Sequence, residues 1–294
     1  MYKYKCFGAS LSTDFEIPFL PHSLGKKNSE IRINKGSDVS VAFDDKYFIE
    51  MNLKKGIFFR PKFGSTQISK GSDISYKTLN KTNPINLSFN LLSHPLGYAF
   101  YQKGEYVLHA SAIEINNKAY LFTGASGLGK STTVLNLLKN GRFITEDIAR
   151  VTFKDNKAFI YPSLPVIKLK DQLIYKEEIN IKESFSIDAD SRGRRGFIIQ
   201  DFDYTNEPVE ISSCFVLTKS NNQNLREIFL RDSFKHLLLN SFCSFPRNTC
   251  KVSEEKQLKN IGKFLDTVSI FEYSRKMKDE KKENTFLQEN FFNF

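Results

Sequence analysis

The sequence lacks tryptophan, closely paired cysteines and any long apolar run. Without an uninterrupted stretch of about 18 apolar residues, no segment is expected to span a membrane. The N-terminus shows no apolar core followed by a small-residue cleavage site, so we expect no signal peptide and a cytoplasmic location. No Cys-x-x-Cys pair occurs, which argues against a zinc site and favours reduced thiols in or near a core; the cysteines are Cys6, Cys214, Cys243 and Cys250.

Acidic residues are also in deficit. Asp and Glu number 33 against 43 Lys and Arg, which gives a formal net charge of +10 and an isoelectric point near 9.2. This charge favours anionic partners such as nucleotides, phosphates, acidic peptides or nucleic acid. The basic residues are spread along the chain without an arginine-rich tail, so a dedicated nucleic-acid-binding arm is not expected.

What remains is the composition of a globular protein. The 294 residues are 40% hydrophobic and 26% charged, and they include 28 Phe as core material. This composition excludes a disordered chain, a coiled coil and a collagen-like fibre. At roughly 150 residues per domain, the length predicts one or two domains.

The first 105 residues have the pattern of a β-rich, irregular segment. Apolar and polar residues alternate in three stretches, 31–34, 39–43 and 47–51, as is typical of strands. The polar stretch 70–84 is expected to be a long loop. The apolar and aromatic stretch 85–103 predicts a helix or a helix followed by a loop, in which His94 is expected to be a buried structural histidine.

Residues 106–275 alternate between strand and helix patterns. The expected strands are 107–115, 118–123, 142–153, 214–218, 225–230 and 268–273. Asn116 and Asn117 suit a two-residue hairpin turn, and Gly141 suits the end of a helix over 131–140.

Two later helices are predicted from caps and apolar periodicity. Asp232 is expected to cap the first, and Ser253 to begin the second. The inward-facing residues are expected to be Phe234, Leu237, Leu238 and Phe242 in the first helix, and Leu258, Ile261, Phe264 and Leu265 in the second.

The chain contains a candidate phosphate-binding motif, Gly-Ala-Ser-Gly-Leu-Gly-Lys-Ser at 124–131. It matches the P-loop (Walker A) pattern G-x-x-x-x-G-K-[ST] in full. It lies between a predicted strand and a predicted helix, the context that the motif requires. The glycines let backbone N–H groups point at phosphate oxygens, and the helix N-terminus favours an anion. The lysine meets the outer phosphates and the serine hydroxyl ligates Mg²⁺. The predicted nucleotide-binding residues are Gly124, Ala125, Ser126, Gly127, Leu128, Gly129, Lys130, Ser131 and Thr132.

An acidic pair, Glu146-Asp147, follows the P-loop after only one helix. This compact order resembles the HPr kinase/phosphorylase family, whose kinase domain is related to the ATP-dependent phosphoenolpyruvate carboxykinases. The resemblance lies in Leu-His-Ala-Ser-Ala-Ile-Glu-Ile, Thr-Gly-Ala-Ser-Gly-Leu-Gly-Lys-Ser-Thr and Asn-Gly-Arg-Phe-Ile-Thr-Glu-Asp, which occupy 108–115, 123–132 and 140–147. Two further stretches, 6–18 and 161–169, are similar to a diverged branch that includes the lasso-peptide precursor kinases.

The resemblance implies an α/β fold that leans towards α+β. A P-loop kinase domain with a mixed sheet would span 106–275, with the β-rich segment 1–105 packed on it and a charged C-terminal tail at 276–294. The cofactors would be ATP and Mg²⁺. Because the family forms oligomers, a homo-oligomer is a possible assembly.

The resemblance also implies residue roles. Asp147 would be the catalytic base, because a carboxylate near the transferred phosphate accepts the proton of the attacking hydroxyl. His109 would orient Asp147 or contact phosphate, and Lys130 would complete the catalytic group. Glu146, in place of the family's first Asp, would hold Mg²⁺ together with Ser131.

Arginines are the candidate contacts to phosphate or substrate. Arg192, Arg194 and Arg195 flank two glycines in a basic loop, and such a cluster suits a phosphate or a carboxylate; an ordinary solvated loop is the alternative. Arg247 is a further candidate. The glutamate-led motif of HPr kinases has no counterpart in the stretch 191–198, which lies near its place.

The function favoured by these patterns is an ATP- and Mg²⁺-dependent serine kinase. Its partner would be a peptide or small protein, in particular a ribosomally made precursor peptide of the lasso type. An HPr-type carrier-protein kinase, a nucleotide-binding regulatory module without transfer, and a nucleic-acid-dependent ATPase are the alternatives.

Overall fold

A computed structural model gives the structure of the chain. It describes residues 1–24, 29–36, 48–52, 55–60, 63–170, 181–187, 193–200, 202, 207–242, 250–251, 254–275 and 286. The predicted strand 39–43 and, within the predicted tail, residues 276–285 and 287–294 lie outside these ranges. The described part forms a mixed α/β fold of three sheets and few helices.

The N-terminal part folds as a β-sheet, as the alternation predicted. Its eight strands lie in the order β1-β2-β3-β7-β6-β5-β4-β19. They are β1 (Tyr2–Cys6), β2 (Ala9–Thr13), β3 (Ile31–Lys35), β4 (Phe48–Asn52), β5 (Lys55–Arg60), β6 (Gly64–Ser69), β7 (Asp73–Thr78) and, from much later in the chain, β19 (Cys250–Lys251).

The prediction of a long loop over 70–84 is wrong. Strand β7 occupies its centre and pairs with β6 and β3. Ile74 and Tyr76 alternate with polar neighbours and are buried, so the stretch carries a period of two despite its polar composition. The connection after β7 ends where the Asn83 side chain accepts a hydrogen bond from the Asn86 amide, which caps the next helix.

Two helices follow where the stretch 85–103 predicted helical structure. These are α1 (Pro84–Leu92) and α2 (His94–Gln102). Both pack into an apolar cluster with the N-terminal sheet, in which Phe58 and Phe100 are buried. This cluster places α1 and α2 between the N-terminal sheet and the rest of the chain.

The central sheet has nine strands and both parallel and antiparallel pairs. Its path is β11-β9-β10-β17-β13-β12-β8, and β20 pairs with β17 and β18. The strands are β8 (Tyr106–Leu108), β9 (Ala110–Ile115), β10 (Lys118–Thr123), β11 (Arg142–Thr145), β12 (Ala149–Lys154), β13 (Lys157–Ile160), β17 (Val209–Lys219), β18 (Asn224–Glu227) and β20 (Ser269–Arg275). Because β10, β17 and β20 run parallel, their carboxyl ends share one edge of the sheet.

Two predicted strands are interrupted in the structure, and both interruptions fall on candidate site residues. The stretch 107–115 breaks at His109, whose amide donates to the carbonyl of Asn240 instead of a strand neighbour. The stretch 142–153 breaks after Thr145, where Ile148 N donates to Glu146 O and closes a tight turn. The sequence pattern is continuous through both points, so it predicted single strands.

The helix over 131–140 is present in two pieces. Helix α3 (Lys130–Leu137) continues as a short 3-10 helix, Leu138–Asn140, and Gly141 follows it as predicted. Helix α3 packs against β9 and β10 of the central sheet and against the strand β14 (Val166–Leu169). Its first residue is the P-loop lysine.

The last two helices are α4 (Leu230–Asn240) and α5 (Glu254–Leu265). Asp232 is not the cap of α4: Phe229 occupies that position and Asp232 lies in the first turn. The predictions that Leu238 and Leu258 face inward are wrong, since they are 38% and 44% exposed. Ser253 lies outside the described ranges. The strand predicted at 225–230 ends at Glu227, where the chain turns into α4.

A third sheet of three strands completes the described fold. It has the order β14-β16-β15, with β15 at Ile181–Ser186 and β16 at Arg195–Ile199. One face of β14 and β16 contributes Val166 and Ile198 to the same apolar cluster as α1 and α2. The other face contributes Ile167 and Phe197 to the cluster beneath α3.

No helix in the described part of the chain is both long enough and apolar enough to cross a membrane.

Candidate active site

The P-loop leaves the central sheet at the end of β10 and enters α3. Gly124, Gly127 and Gly129 have φ angles of 136°, 89° and 81°, values that side chains disfavour. A Cβ atom on Gly124 would lie 2.7 Å from the carbonyl oxygen of Leu217. The sequence-based reason for these glycines, a backbone that wraps tightly, therefore matches the geometry.

Lys130 is folded over this loop. Its ammonium donates to the carbonyl oxygens of Gly124 and Ala125 at 2.9 and 3.4 Å, and the residue is only 6% exposed. Neutral carbonyl oxygens are weaker acceptors for a lysine than phosphate oxygens. The side chain is thus held at the loop and able to exchange these contacts for an anion.

Ser131 connects the P-loop to the acidic pair. Its hydroxyl donates to Oε1 of Glu146 at 2.5 Å, and Oε2 of Glu146 accepts from the backbone amide of Lys168 at 2.7 Å. Burial is the main cause that raises the pKa of Glu146 to about 7, and the neighbouring Asp147 carboxylate adds to it. The charge of Lys168 and the two hydrogen bonds oppose the rise without cancelling it.

Asp147 lies at the centre of the tight turn between β11 and β12, with φ 65°. Its Oδ2 accepts from the ammonium of Lys168, and its Oδ1 lies 3.4 Å from Nε2 of His109. Burial alone would raise the pKa of Asp147, but Lys168 and His109 outweigh it and hold this pKa well below its ordinary value. The carboxylate is therefore charged at neutral pH.

His109 is fixed through its backbone. Its amide donates to Asn240 O at 2.8 Å, and its carbonyl accepts from the hydroxyl of Thr123 at 2.9 Å. Thr123 is the last residue of β10, directly before the P-loop. A single hydrogen bond therefore links the start of the P-loop to the histidine that faces Asp147.

Lys168 is the residue that sequence reasoning missed. It lies on β14 with only 8% of its side chain exposed, and its ammonium is 5.9 Å from the centre of the Phe89 ring. A lysine within the apolar run Val-Ile-Lys-Leu was the available signal, because buried lysines are rare unless they are paired. Here the pairing partner is the candidate base.

His94 lies next to Lys168 and Asp147 and is half-buried, whereas the sequence predicted a buried histidine. Its Nδ1 is 3.0 Å from the guanidinium of Arg60, which also donates to Asn90. Burial, supported by the positive charges of Arg60 and Lys168, holds the pKa of His94 well below its ordinary value. These contacts indicate a neutral, structural histidine.

Of the predicted arginine cluster, Arg194 and Arg195 lie in the described ranges. Arg195 opens β16, donates to Ser184 at 2.6 Å and pairs in register with Leu169, one residue beyond Lys168. Because side chains alternate along a strand, Arg195 lies on the face opposite to the one that carries Lys168, and Arg194 directly precedes the strand. Arg192 and Arg247 lie outside the described ranges.

The oxygens of Ser131 and Glu146 fit a magnesium ion. Mg²⁺ is commonly bound by one or two carboxylates together with substrate phosphates and water, and not by a full protein cage. Among the described residues, no group of three or more His, Cys, Asp or Glu side chains could hold a metal ion. A hydroxyl and a carboxylate oxygen beside a P-loop would supply the protein's part of a site shared with phosphates and water.

A small cavity of about 20 Å³ adjoins the acidic pair. Glu146, Asp147 and Lys168 form its polar wall, while Phe7, Phe89, Leu92, Ser93, Ile148, Ser163, Leu164 and Val166 line the remainder. This volume holds roughly one water-sized group. The cavity is therefore a narrow, mostly apolar recess beside the candidate base.

No protein-family model matches the chain, and no curated protein matches it in sequence. Among solved structures, it is similar to the Hpr(Ser) kinase/phosphatase from Coxiella burnetii, with a TM-score of 0.35 and 10% identity over 64% of this chain and 88% of that one. A similarity of this degree defines neither the family nor the function of the chain.

Proposed function

We propose that the chain is an ATP- and Mg²⁺-dependent kinase that transfers the γ-phosphoryl group to a serine hydroxyl of a peptide or small protein. One observation carries the proposal: the contact between Ser131 and Glu146 brings the P-loop against Asp147, a charged carboxylate in the tight turn after β11.

The P-loop would bind the triphosphate. Backbone N–H groups and the N-terminus of α3 face an anion at such a loop, and Lys130 would leave its two carbonyl partners for the outer phosphates. Mg²⁺, held by Ser131 and Glu146, would neutralise charge on the β- and γ-phosphates when bound. Because Glu146 is buried, its charge is poorly compensated in the free site, and a cation would relieve that cost.

Asp147 would accept the proton of the attacking hydroxyl. The hydroxyl oxygen bonds to the γ-phosphorus as the bond to the β,γ-bridging oxygen breaks, ADP departs, and the proton moves to the carboxylate. Phosphoryl transfer passes through a loose transition state, so a base of low pKa is sufficient. Lys168 and His109 would keep Asp147 charged and fix its direction.

The acceptor would present a small hydroxyl. Arg194, which directly precedes β16, would contact an acidic group or carboxylate of the substrate. A precursor peptide of the lasso type, implied by the sequence resemblance, remains the specific proposal, and an HPr-type carrier protein the alternative.

A nucleotide-binding module without transfer is the second candidate function. It is favoured by the full engagement of Asp147, which contacts Lys168 through one oxygen and His109 through the other. A carboxylate held in this way would serve as a structural anchor if the contacts persisted with ATP bound. Both functions require the P-loop to bind MgATP.

The test measures binding and transfer separately. Isothermal titration calorimetry with MgATP, with AMP as control, tests the P-loop assignment. The protein is then incubated with ATP labelled in its γ-phosphate and a library of random peptides that each contain one Ser. Matched libraries carry Tyr or Ala at that position. Transfer to the Ser library alone supports the serine kinase, and ATP binding without transfer to any library supports the regulatory module. Absence of MgATP binding contradicts both.

A further inference from the structure

Arg275 is a buried arginine beneath the P-loop to which the proposed reaction assigns no role. It is the last residue of β20, pairs in register with Lys219 of the parallel strand β17, and is only 4% exposed. Strand β17 separates β20 from β10. The Arg275 side chain therefore passes the carboxyl end of β17 and reaches the P-loop, which follows β10.

The guanidinium contacts the loop at two points. Nη2 donates to the carbonyl oxygen of Leu128, and Nη1 donates to the hydroxyl of Thr133 at 2.8 Å. The same hydroxyl donates to the carbonyl oxygen of Gly129 at 3.0 Å. The carbonyls of two consecutive P-loop residues are therefore held, one directly and one through Thr133.

These contacts determine which way the loop amides point. In a trans peptide the C=O and N–H bonds point in opposite directions, so a Leu128 carbonyl directed at Arg275 turns the amide of Gly129 away from it. The carbonyl of Gly129 likewise points towards Thr133 of α3. The amide of Lys130, in the same peptide group, therefore points away from Thr133. Gly129 also packs directly on the guanidinium, because a Cβ there would overlap it.

We infer that Arg275 is a positioning residue that orders the P-loop for phosphate before nucleotide arrives. Binding sites gain affinity when their groups are already oriented, because binding then requires no further loss of conformational entropy in the site. An arginine suits this role better than a lysine, because its planar fork makes two directed hydrogen bonds at once. The inference rests on the proposed function, in that the ordered amides are taken to bind phosphate.

The test compares Arg275→Met with Arg275→Lys and with the milder Thr133→Val. The control is Arg226→Met, an arginine on the neighbouring strand β18 that is exposed and pairs with Glu272 of β20. Amide hydrogen exchange over 124–137 is measured without nucleotide. Affinity is measured for MgATP and for inorganic pyrophosphate, which engages the loop without a nucleoside.

We expect Arg275→Met to speed exchange of the loop amides and to weaken both ligands by about 10- to 100-fold, the effect of losing hydrogen bonds to a charged group. Thr133→Val should shift both readouts in the same direction by less, and Arg275→Lys should restore part of the loss. In steady state the loss should fall on the KM for ATP and leave kcat nearly unchanged. Arg226→Met should match the wild type.

The outcomes separate this inference from the proposed function. Unchanged exchange and unchanged pyrophosphate affinity in a folded Arg275 variant overturn the inference, and so does faster exchange without a loss of affinity. If Arg275→Met does not fold, Thr133→Val decides by the same criteria. A wild-type chain that binds neither MgATP nor pyrophosphate overturns the proposed function and, with it, a role in phosphate binding, whatever the exchange data show.

Discussion

Ser131 donates a 2.5 Å hydrogen bond to Glu146, which joins the first turn of α3 to the turn after β11. The other oxygen of Glu146 accepts the amide of Lys168 on β14. One carboxylate thus connects the P-loop to the small sheet, and the adjacent Asp147 is held between them. The P-loop and the acidic pair, which are separate stretches of sequence, form one site.

Replacing Lys130 with Ala should abolish MgATP turnover and weaken MgATP binding by at least about 10²-fold, since it removes a preorganised charge from the phosphates. The fold should persist, because α3 retains its apolar contacts. Lys139→Ala is the matched control: this lysine is exposed near the end of the same helical stretch, and its loss should leave binding unchanged. Calorimetry and circular dichroism measure the two effects. Equal binding by Lys130→Ala and the wild type would remove the lysine from the site.

Ser131→Ala and Glu146→Gln should each raise the Mg²⁺ concentration required for half-maximal transfer. Ser131→Ala removes a hard oxygen ligand, and Glu146→Gln removes the charge of another. The Glu146→Gln substitution should have the larger effect. Titration of MgCl₂ at fixed ATP, followed by transfer rate, provides the measurement. Glu210→Gln, a partly exposed carboxylate that pairs with Lys118 and Lys157 and belongs to neither the P-loop nor the acidic pair, is the control. A Glu146→Gln enzyme with the wild-type Mg²⁺ dependence would show that Glu146 does not hold the metal.

The raised pKa of Glu146 predicts a falling stability between pH 4.5 and 7. In this window the folded chain binds a proton at Glu146 that the unfolded chain has released, so unfolding becomes easier as pH rises. A shift of the Glu146 pKa from the ordinary 4.5 to about 7 lowers the free energy of unfolding by about 3 kcal/mol by pH 8. Asp147 has its pKa lowered, so its contribution is lost only at more acidic pH, below this window.

Glu146→Gln isolates that effect. Urea unfolding in Mg²⁺-free buffer at pH 5 and pH 8 should give similar stabilities for the variant and the wild type at pH 5, and a more stable variant at pH 8. If the wild type loses no more stability than the variant between these two values, Glu146 is ionised in the folded chain and its burial has been compensated.

His109→Gln should lower phosphoryl transfer by about 10-fold, well short of the general-base range of about 10² to 10⁴, because His109 acts on Asp147 from 3.4 Å away. MgATP affinity should not change. His22→Gln, at an exposed surface position, is the control. A loss as large as that of the base itself would place His109 directly on the reacting groups.

The sequence predicted the parts of the site that lie in one continuous motif. The P-loop could be predicted because each glycine meets a local requirement of the backbone. Lys130 and Ser131 follow the last of these glycines at fixed positions in the motif. The strand patterns located the central sheet because its strands are short apolar runs, such as Cys214–Leu217, bounded by turn residues such as Asn116 and Asn117. The breaks at His109 and Asp147 were not predictable, since they depend on hydrogen bonds to Asn240 and within a turn that the periodicity does not record.

Lys168 and Arg275 illustrate the limit of a sequence reading. Lys168 is the single basic residue of an apolar strand, Arg275 is the last residue of a mixed one, and each meets its partner only through the packing of distant segments. Lys168 reaches Asp147 because β14 lies beside the acidic turn, and Arg275 reaches Leu128 across β17. Their burial became informative only once the sheet order was known.

The measurement that tests the central claim most directly is single-turnover transfer by Asp147→Asn. The amide keeps the size of the side chain and tolerates the positive φ of this turn, but it cannot take up the hydroxyl proton. Asp155→Asn is the matched control, because Asp155 also has a positive φ, 49°, in an exposed hairpin turn.

Labelled phosphate is followed from ATP to a serine peptide that the wild type phosphorylates, and MgATP affinity is measured in parallel. The account predicts transfer lowered by about 10²- to 10⁴-fold with affinity nearly unchanged, because the base acts mainly in the transition state, and a wild-type rate for Asp155→Asn. Full transfer by Asp147→Asn, or an equal loss of transfer and of MgATP binding, would contradict the assignment of Asp147 as the base.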